Sequence, residues 1–298
     1  YIIDTNGKKY LDFVAGVSAN TLGHSNSIIT NAVKKQIDKY SHVMVYGEYV
    51  QRPQYKLAKL LSENLPQELN TTYFVNSGAE AIEGAIKLAK RVTTRSEIIS
   101  CKNSYHGSTH GALSIMGNEK QKKNYRPLLP DCKLIEFNNS NSLKKITSKT
   151  AAVVLEIVQG GTGFIFIQKN FLKKIREKCN KTGTLLIFDE IQTCYGRLGT
   201  LFGFQKFNIN PDILCIAKGM GAGMPIGAFI SSWSIMNKLT FEPTLGHITT
   251  FGGHPVNCAA SLACLKHLIS SNIMGEIDEK EKLFRKHLQH KKIKEIRG

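Results

Sequence analysis

Two kinds of hydrophobic pattern alternate along this chain. The first is a short, unbroken apolar run: "TTYFV" (71–75), "EIISC" (97–101), "AAVVLEIV" (151–158), "TLLIFD" (184–189) and "PDILCIA" (211–217). Runs of this length without apolar–polar alternation predict strands covered on both faces. The second kind has apolar positions three or four residues apart. "AEAIEGAIKLAKRVT" puts Ala81, Ala85, Leu88 and Ala89 on one helical face, "KNFLKKIREKCNKTG" is a helix closed by Gly183, and "HPVNCAASLACLKHLIS" is a long helix followed by a charged one. Strands separated by helices predict an α/β fold, a mainly parallel sheet sandwiched by helices. The start, "YIIDTNGKKYLDF", reads instead as a hairpin turning at Asn6-Gly7. The two ends therefore read as pieces of a smaller α+β domain: 1–45 as its N-terminal part, 46–258 as the large domain, and 259–298 as a connecting helix and the start of a C-terminal part.

In open parallel sheets ligands sit where strands end. Four predicted strand exits carry reactive groups: Asn76-Ser77-Gly78-Ala79, Glu156 with Gln159-Gly160, Asp189-Glu190, and Lys218-Gly219. Apolar residues running into Asp189-Glu190 resemble the magnesium-binding acids of P-loop ATPases. Those enzymes also need GxxxxGK[ST] to hold phosphates, and no Gly-Lys-Ser or Gly-Lys-Thr occurs here. Lys218 points elsewhere. An ammonium at the end of a buried strand is costly unless paired or neutralised, and a neutral amine is a nucleophile toward aldehydes. A lysine and a carboxylate at two strand exits suit pyridoxal 5'-phosphate: the amine takes the aldehyde, while the carboxylate keeps the pyridine nitrogen protonated. Ser77, Gly78 and Ala79 lead directly into a helix whose amides can hold the phosphate. Tyr105 and His106, in "NSYHGSTHG", lie in a turn where an aromatic ring can stack on the cofactor. Each piece alone has a plain structural explanation, such as a helix cap or a surface lysine; their combination favours the cofactor.

Composition narrows the partners. With 42% hydrophobic and 21% charged residues the 298-residue chain is of ordinary globular type, and no apolar run approaches a membrane span. Seven scattered cysteines without a CxxC pair read as reduced thiols, which points to the cytoplasm. The formal charge of +17 invites nucleic acid, but the lysines spread over helical faces and no helix-turn-helix, zinc finger or RRM signature accompanies them. Neither nucleic acid nor membrane is an expected partner.

Taken together, "YLDFVAGVSANTLGH", "NSGAEAIEGAIKLAK", "YHG", "QGGTGF", "LLIFDEIQTCYGRLG", "PDILCIAKGMGAGMPIGA" and "HITTFGGHPV" resemble the class III aminotransferases of PLP fold type I, from Tyr1 to Gly298. The resemblance implies that Lys218 bears the cofactor and moves the substrate proton, and that Asp189 pairs with the pyridine nitrogen. It implies Gln192 near the ring hydroxyl, Tyr105 with His106 at the ring, and Ser77, Gly78 and Ala79 at the phosphate. Thr250 would reach the cofactor phosphate of a neighbouring subunit, which implies a homodimer with shared active sites. Ser108 and Thr249 fall at substrate positions, and Glu190 at a structural one. A small-molecule amino donor, of acetylornithine or ornithine type, and a 2-oxo acid such as 2-oxoglutarate would be the substrates.

Departures from the pattern concern substrate selection. Members usually carry Arg where Ser108 stands and often Glu where Gly161 stands; "GGNP" reads "GGHP" with His254, and "QTGFGRTG" reads "QTCYGRLG". The family also continues beyond a "VRG"-like sequence with an arginine that clamps the substrate carboxylate, whereas this sequence begins without Met and stops at Arg297-Gly298. Lost sequence at both ends is the expectation. Another class III donor (4-aminobutyrate, a β-amino acid or an N-acyl diamino acid) and a PLP-binding inactive fragment are the alternatives.

Overall fold

A computed structural model describes residues 1–298. The pair β1 (Ile2–Ile3) and β2 (Lys9–Tyr10) is antiparallel, with Ile2 opposite Tyr10. Its reversal runs from Asp4 to Lys8, longer than a two-residue Asn-Gly turn. Asp4 organises it: Oδ1 accepts from Asn6 N at 2.9 Å and Lys8 N at 3.0 Å, and Gly7 takes φ of 80°. Helices α1 (Ser27–Ile37) and α2 (Arg52–Glu63) follow.

The central sheet then builds up from β3 (Thr71–Val75), helix α3 (Gly78–Thr93), β4 (Glu97–Cys101), β5 (Cys132–Ile135) and β6 (Thr150–Glu156). A small antiparallel pair, β7 (Val158–Gln159) and β8 (Ile165–Phe166), stands apart from it. Helix α4 (Lys169–Thr182) ends at Gly183, whose φ of 63° supplies the left-handed cap that the sequence predicts there. Then come β9 (Leu185–Asp189), β10 (Ile213–Ile216), β11 (Gly227–Ser231), and helices α5 (Pro255–Ser270) and α6 (Ile277–His287). The sheet has seven strands in the order β3-β11-β10-β9-β6-β4-β5, and only β11 runs against its neighbours.

The unbroken apolar runs arise because each strand feeds two cores. Val153 and Leu155 of β6, with Leu186 and Phe188 of β9, enter a cluster of 36 buried residues that also takes Phe171, Ile175 and Cys179 of α4 and Cys264 of α5. Ala152, Val154 and Ile187 point the other way into a cluster of 18, covered by Ala81, Ala85, Leu88 and Ala89 of α3. Alternate side chains on the two faces follow from the strand period of two. All seven cysteines are free thiols, and no helix is long and apolar enough to cross a membrane.

Candidate active site

Parallel strands bring their carboxyl ends to one edge of the sheet, and there the chain forms a cleft of about 1000 Å³. Ser77, Gly78, Ala79, Tyr105, His106, Ser108, Asp189, Gln192 and Lys218 all line it. The sequence-predicted residues thus converge from segments more than a hundred residues apart. Thr249 and Thr250 do not join them.

One wall is the start of α3. Ser77 caps the helix, its hydroxyl oxygen accepting from Glu80 N at 3.2 Å. Glu80 folds back so that Oε2 accepts from Asn76 N at 2.7 Å and from Asn76 Nδ2 at 3.0 Å. This exchange fixes the turn but does not consume the first-turn amides of Gly78 and Ala79, which have no partner within a helix. A side chain at Gly78 would place Cβ 2.7 Å from Ile191 Cδ1, so glycine lets the helix sit this close to the Asp189 exit without displacing the Ile191 side chain. The wall is a positive helix end open to an anion.

The floor carries a chain of buried ionisable groups. In the parallel ladder Glu156 stands directly beside Asp189. His106 donates from Nδ1 to Asp189 Oδ2 at 2.7 Å, and Ile191 N donates to the other oxygen at 3.1 Å. Glu156 Oε2 accepts from Tyr105 N at 3.1 Å. Burial works against the imidazolium, but the hydrogen bond and charge of Asp189, helped by Glu156, hold His106 above the ordinary imidazole range. Glu156 is pushed up to about 7, chiefly by burial, with His106 opposing and Asp189 reinforcing the rise. His106 Nε2 is buried without a hydrogen-bond partner. The sequence marks Glu156 as a loaded strand exit without giving it a task; its position one strand over from Asp189 supplies one, since whenever Glu156 is ionised it adds to the charge that holds the imidazole protonated.

Lys218 follows β10 and adopts φ of 46°, a left-handed conformation that is uncommon for a residue with a side chain. The half-buried amine lines the cleft and is its one lysine or arginine. Tyr105 is 44% exposed and its hydroxyl lies 3.2 Å from Ser108 Oγ. Gln192 packs against Gly160, where any side chain would collide with its amide oxygen. Thr249 accepts a 3.0 Å hydrogen bond from Asn76 Nδ2 behind the α3 wall, and Thr250 is exposed. Glu190, next to Asp189, faces away from the cleft: its carboxylate accepts from Gly203 N at 2.5 Å and Phe204 N at 2.6 Å.

A flat, cationic heteroaromatic ring bearing an anionic group fits this arrangement. Asp189, braced by His106, can face a protonated ring nitrogen. The α3 amides and the Ser77 hydroxyl can hold an oxyanion, Tyr105 can cover the ring, and Lys218 offers an amine. No group of three or more metal-ligating side chains occurs.

Comparison with known proteins agrees with this chemistry. Residues 1–298 match the family profile described as Aminotransferase class-III. An acetylornithine aminotransferase of Clostridium acetobutylicum is 40% identical over 310 residues, covering 100% of this chain and 78% of that protein. A [LysW]-aminoadipate semialdehyde/glutamate semialdehyde transaminase of Sulfolobus acidocaldarius is 36% identical, covering 100% of this chain and 77% of that one. Among solved structures, an amine transaminase from an uncultivated Pseudomonas species in its PLP-bound form superposes with a TM-score of 0.90 at 28% identity, covering 96% of this chain and 72% of that one.

Proposed function

The chain belongs to the class III aminotransferases, with pyridoxal phosphate as cofactor, and from that premise we propose that it moves an amino group from an acetylornithine- or ornithine-type donor to a 2-oxo acid, 2-oxoglutarate first. The donor is suggested by relatives such as the 40% identical acetylornithine aminotransferase. The observation that carries the site assignment is the convergence of Lys218, Asp189 and the start of α3 on one cleft.

When bound, pyridoxal phosphate supplies an electron sink for the pair left on a carbon that loses its proton. Lys218 Nζ would hold the cofactor between turnovers and, as a free amine, would carry the proton taken from the donor's amine-bearing carbon. Asp189 keeps the ring nitrogen charged; His106 acts through Asp189, fixing its carboxylate and completing its charge balance. Ser77, Gly78 and Ala79 bind the phosphate, Tyr105 shields the ring from water, and Gln192 orients the ring hydroxyl. Ser108 is assigned to the substrate side; Thr249, expected there from the sequence, lies outside the cleft and reaches it through Asn76. We assign Thr250 to the cofactor phosphate of a neighbouring subunit in a homodimer, a reading supported by its exposure. Sedimentation should then give twice the 33.1 kDa chain mass, and a monomer carrying full activity would refute the shared site. We also take 46–258 as the cofactor-binding unit, with 1–45 and 259–298 belonging to a smaller one, in keeping with a hairpin that pairs with no strand of the central sheet.

A second reading has a specific observation behind it. Ser108 stands where relatives of the resembled group carry Arg, and no arginine lines the cleft. Another class III donor, such as 4-aminobutyrate, a β-amino acid or an N-acyl diamino acid other than acetylornithine, suits that wall equally well. Borohydride reduction of the yellow protein should leave a cofactor mass increase confined to the peptide containing Lys218, and Lys218→Ala should abolish turnover. Colourless protein, or label elsewhere, overturns the assignment. A donor panel against 2-oxoglutarate, read as glutamate formed, separates acetylornithine and ornithine from the other donors.

A further inference from the structure

Away from the cleft, α1, α2 and α5 enclose a groove of about 570 Å³. Lys35 and Lys39 border it from the end of α1, Arg52 and Lys56 from the first turns of α2, and Lys266 from α5. No acidic side chain lines it. On the same helix Lys59 pairs with Glu63 at 3.9 Å, whereas none of the five groove cations has a carboxylate partner. The start of α2 sharpens the anomaly. Its first turn carries no acid, and its N-cap residue Gln51 makes no capping bond to the helix; the Gln51 side chain instead donates to Met44 O at 2.8 Å. Cations at an uncapped helix N-terminus oppose the helix dipole, at roughly 0.3–1 kcal/mol each. An anion in the groove would relieve that repulsion at α2 and pair with the cations around it.

We propose that this groove binds a small oligophosphate, either a free pyrophosphate or triphosphate or the phosphate chain of a nucleotide. Five cations exceed the charge of one carboxylate, and charge-assisted hydrogen bonds from lysine and arginine suit phosphate oxygens. The groove is an open concavity lined by three helices, and has the volume of a small-molecule site rather than the length of a nucleic-acid track. The general lysine excess, 40 Lys and Arg against 23 Asp and Glu, accounts for cations but not for their gathering without an acid.

The test is calorimetric titration of the cofactor-saturated full chain with tripolyphosphate, ATP and adenosine at two salt concentrations. One tripolyphosphate per chain is expected, binding more weakly at higher salt. In Lys56→Gln/Lys266→Gln the affinity should fall by about tenfold or more, each lost contact being a charge-assisted one. Lys174→Gln/Lys178→Gln, which removes equal charge from α4, should leave binding unchanged. ATP matching tripolyphosphate identifies the free chain as ligand; ATP binding tighter identifies a nucleotide. No heat, equal loss in both double variants, or undiminished binding in the groove variant overturns the proposal. Arg52→Gln, an exposed first-turn change, repeats the measurement should the double variant fold poorly. Cofactor absorbance of every variant is recorded alongside, so a defect at the cleft is distinguishable from one at the groove.

Discussion

Asp189 and Glu190 are neighbours in sequence and strangers in environment. Asp189 ends β9 on the cleft side, beside Glu156 and in contact with His106. Glu190 turns to the other side, where it is fully buried and ties down the backbone of Gly203 and Phe204. One strand exit therefore supplies two carboxylates, one left with lone pairs toward a ligand and one spent on the fold. Adjacent residues of a strand point to opposite faces, so the separation is built into the geometry. An acid pair read off a sequence need not be a pair in space.

The largest expected effect lies on the cleft side. Asp189→Asn preserves shape and the contact with His106 while removing the charge, so kcat at saturating cofactor should fall by about 10²–10³-fold, or roughly 3–4 kcal/mol. Unaltered kcat would detach Asp189 from the chemistry.

Glu190→Ala should invert that result. Two buried backbone N–H groups lose their acceptor, at about 1–3 kcal/mol each, and for a chain of this size each kcal/mol lowers the melting temperature by roughly 2–4 °C. Activity per folded molecule should stay near that of the parent protein. If kcat collapses while the melt is unchanged, the division of labour between the two acids is wrong.

A pH titration of stability sharpens the comparison. Glu156 and Glu190 are both pushed up from 4.5 to about 7, each chiefly by burial. In both, the folded state holds a proton that the unfolded chain has released, so the stability they contribute is complete below about pH 4.5 and is lost as pH rises to about 7. His106, also raised, acts in the same direction: its contribution disappears as pH climbs through its folded value. Denaturant unfolding should show stability declining through this window by about 1–3 kcal/mol per carboxyl group. Glu156→Gln and Glu190→Gln should each flatten part of the decline. A slope of the opposite sign would mean that the folded state releases these protons more readily than the unfolded chain.

Much of this was legible before any coordinates. The strands were visible because each feeds two cores, as Leu186 and Ile187 show by entering different clusters. The glycine stop at Gly183 and the helix start at Ser77-Gly78 were local signals, and local signals survive folding. The His106–Asp189 contact was not legible, since it joins residues 83 apart. Nor was Glu156 beside Asp189, which depends on β6 and β9 being neighbours in the sheet. Sheet order is decided by how helices pack across the strands, and no single segment records it. The hairpin turns where Asn6-Gly7 predicts it, and what the sequence does not show is that Asp4 captures two backbone amides and widens the reversal.

The smallest effect concerns a threonine expected from the sequence at the substrate but lying outside the cleft. Thr249 reaches the site only through Asn76, which it accepts from at 3.0 Å while Asn76 also bonds Glu80. Thr249→Ala should therefore cost no more than about 1 kcal/mol of stability, the worth of one partly exposed hydrogen bond. Because Asn76 begins the turn into α3, the loss should appear mainly as weaker cofactor retention, measured as faster release on dialysis. Thr249→Ser, which restores the hydroxyl, should recover it. A large rise in KM for the donor with unchanged cofactor retention would instead mean that Thr249 touches substrate directly and that the 247–250 segment moves into the cleft during turnover.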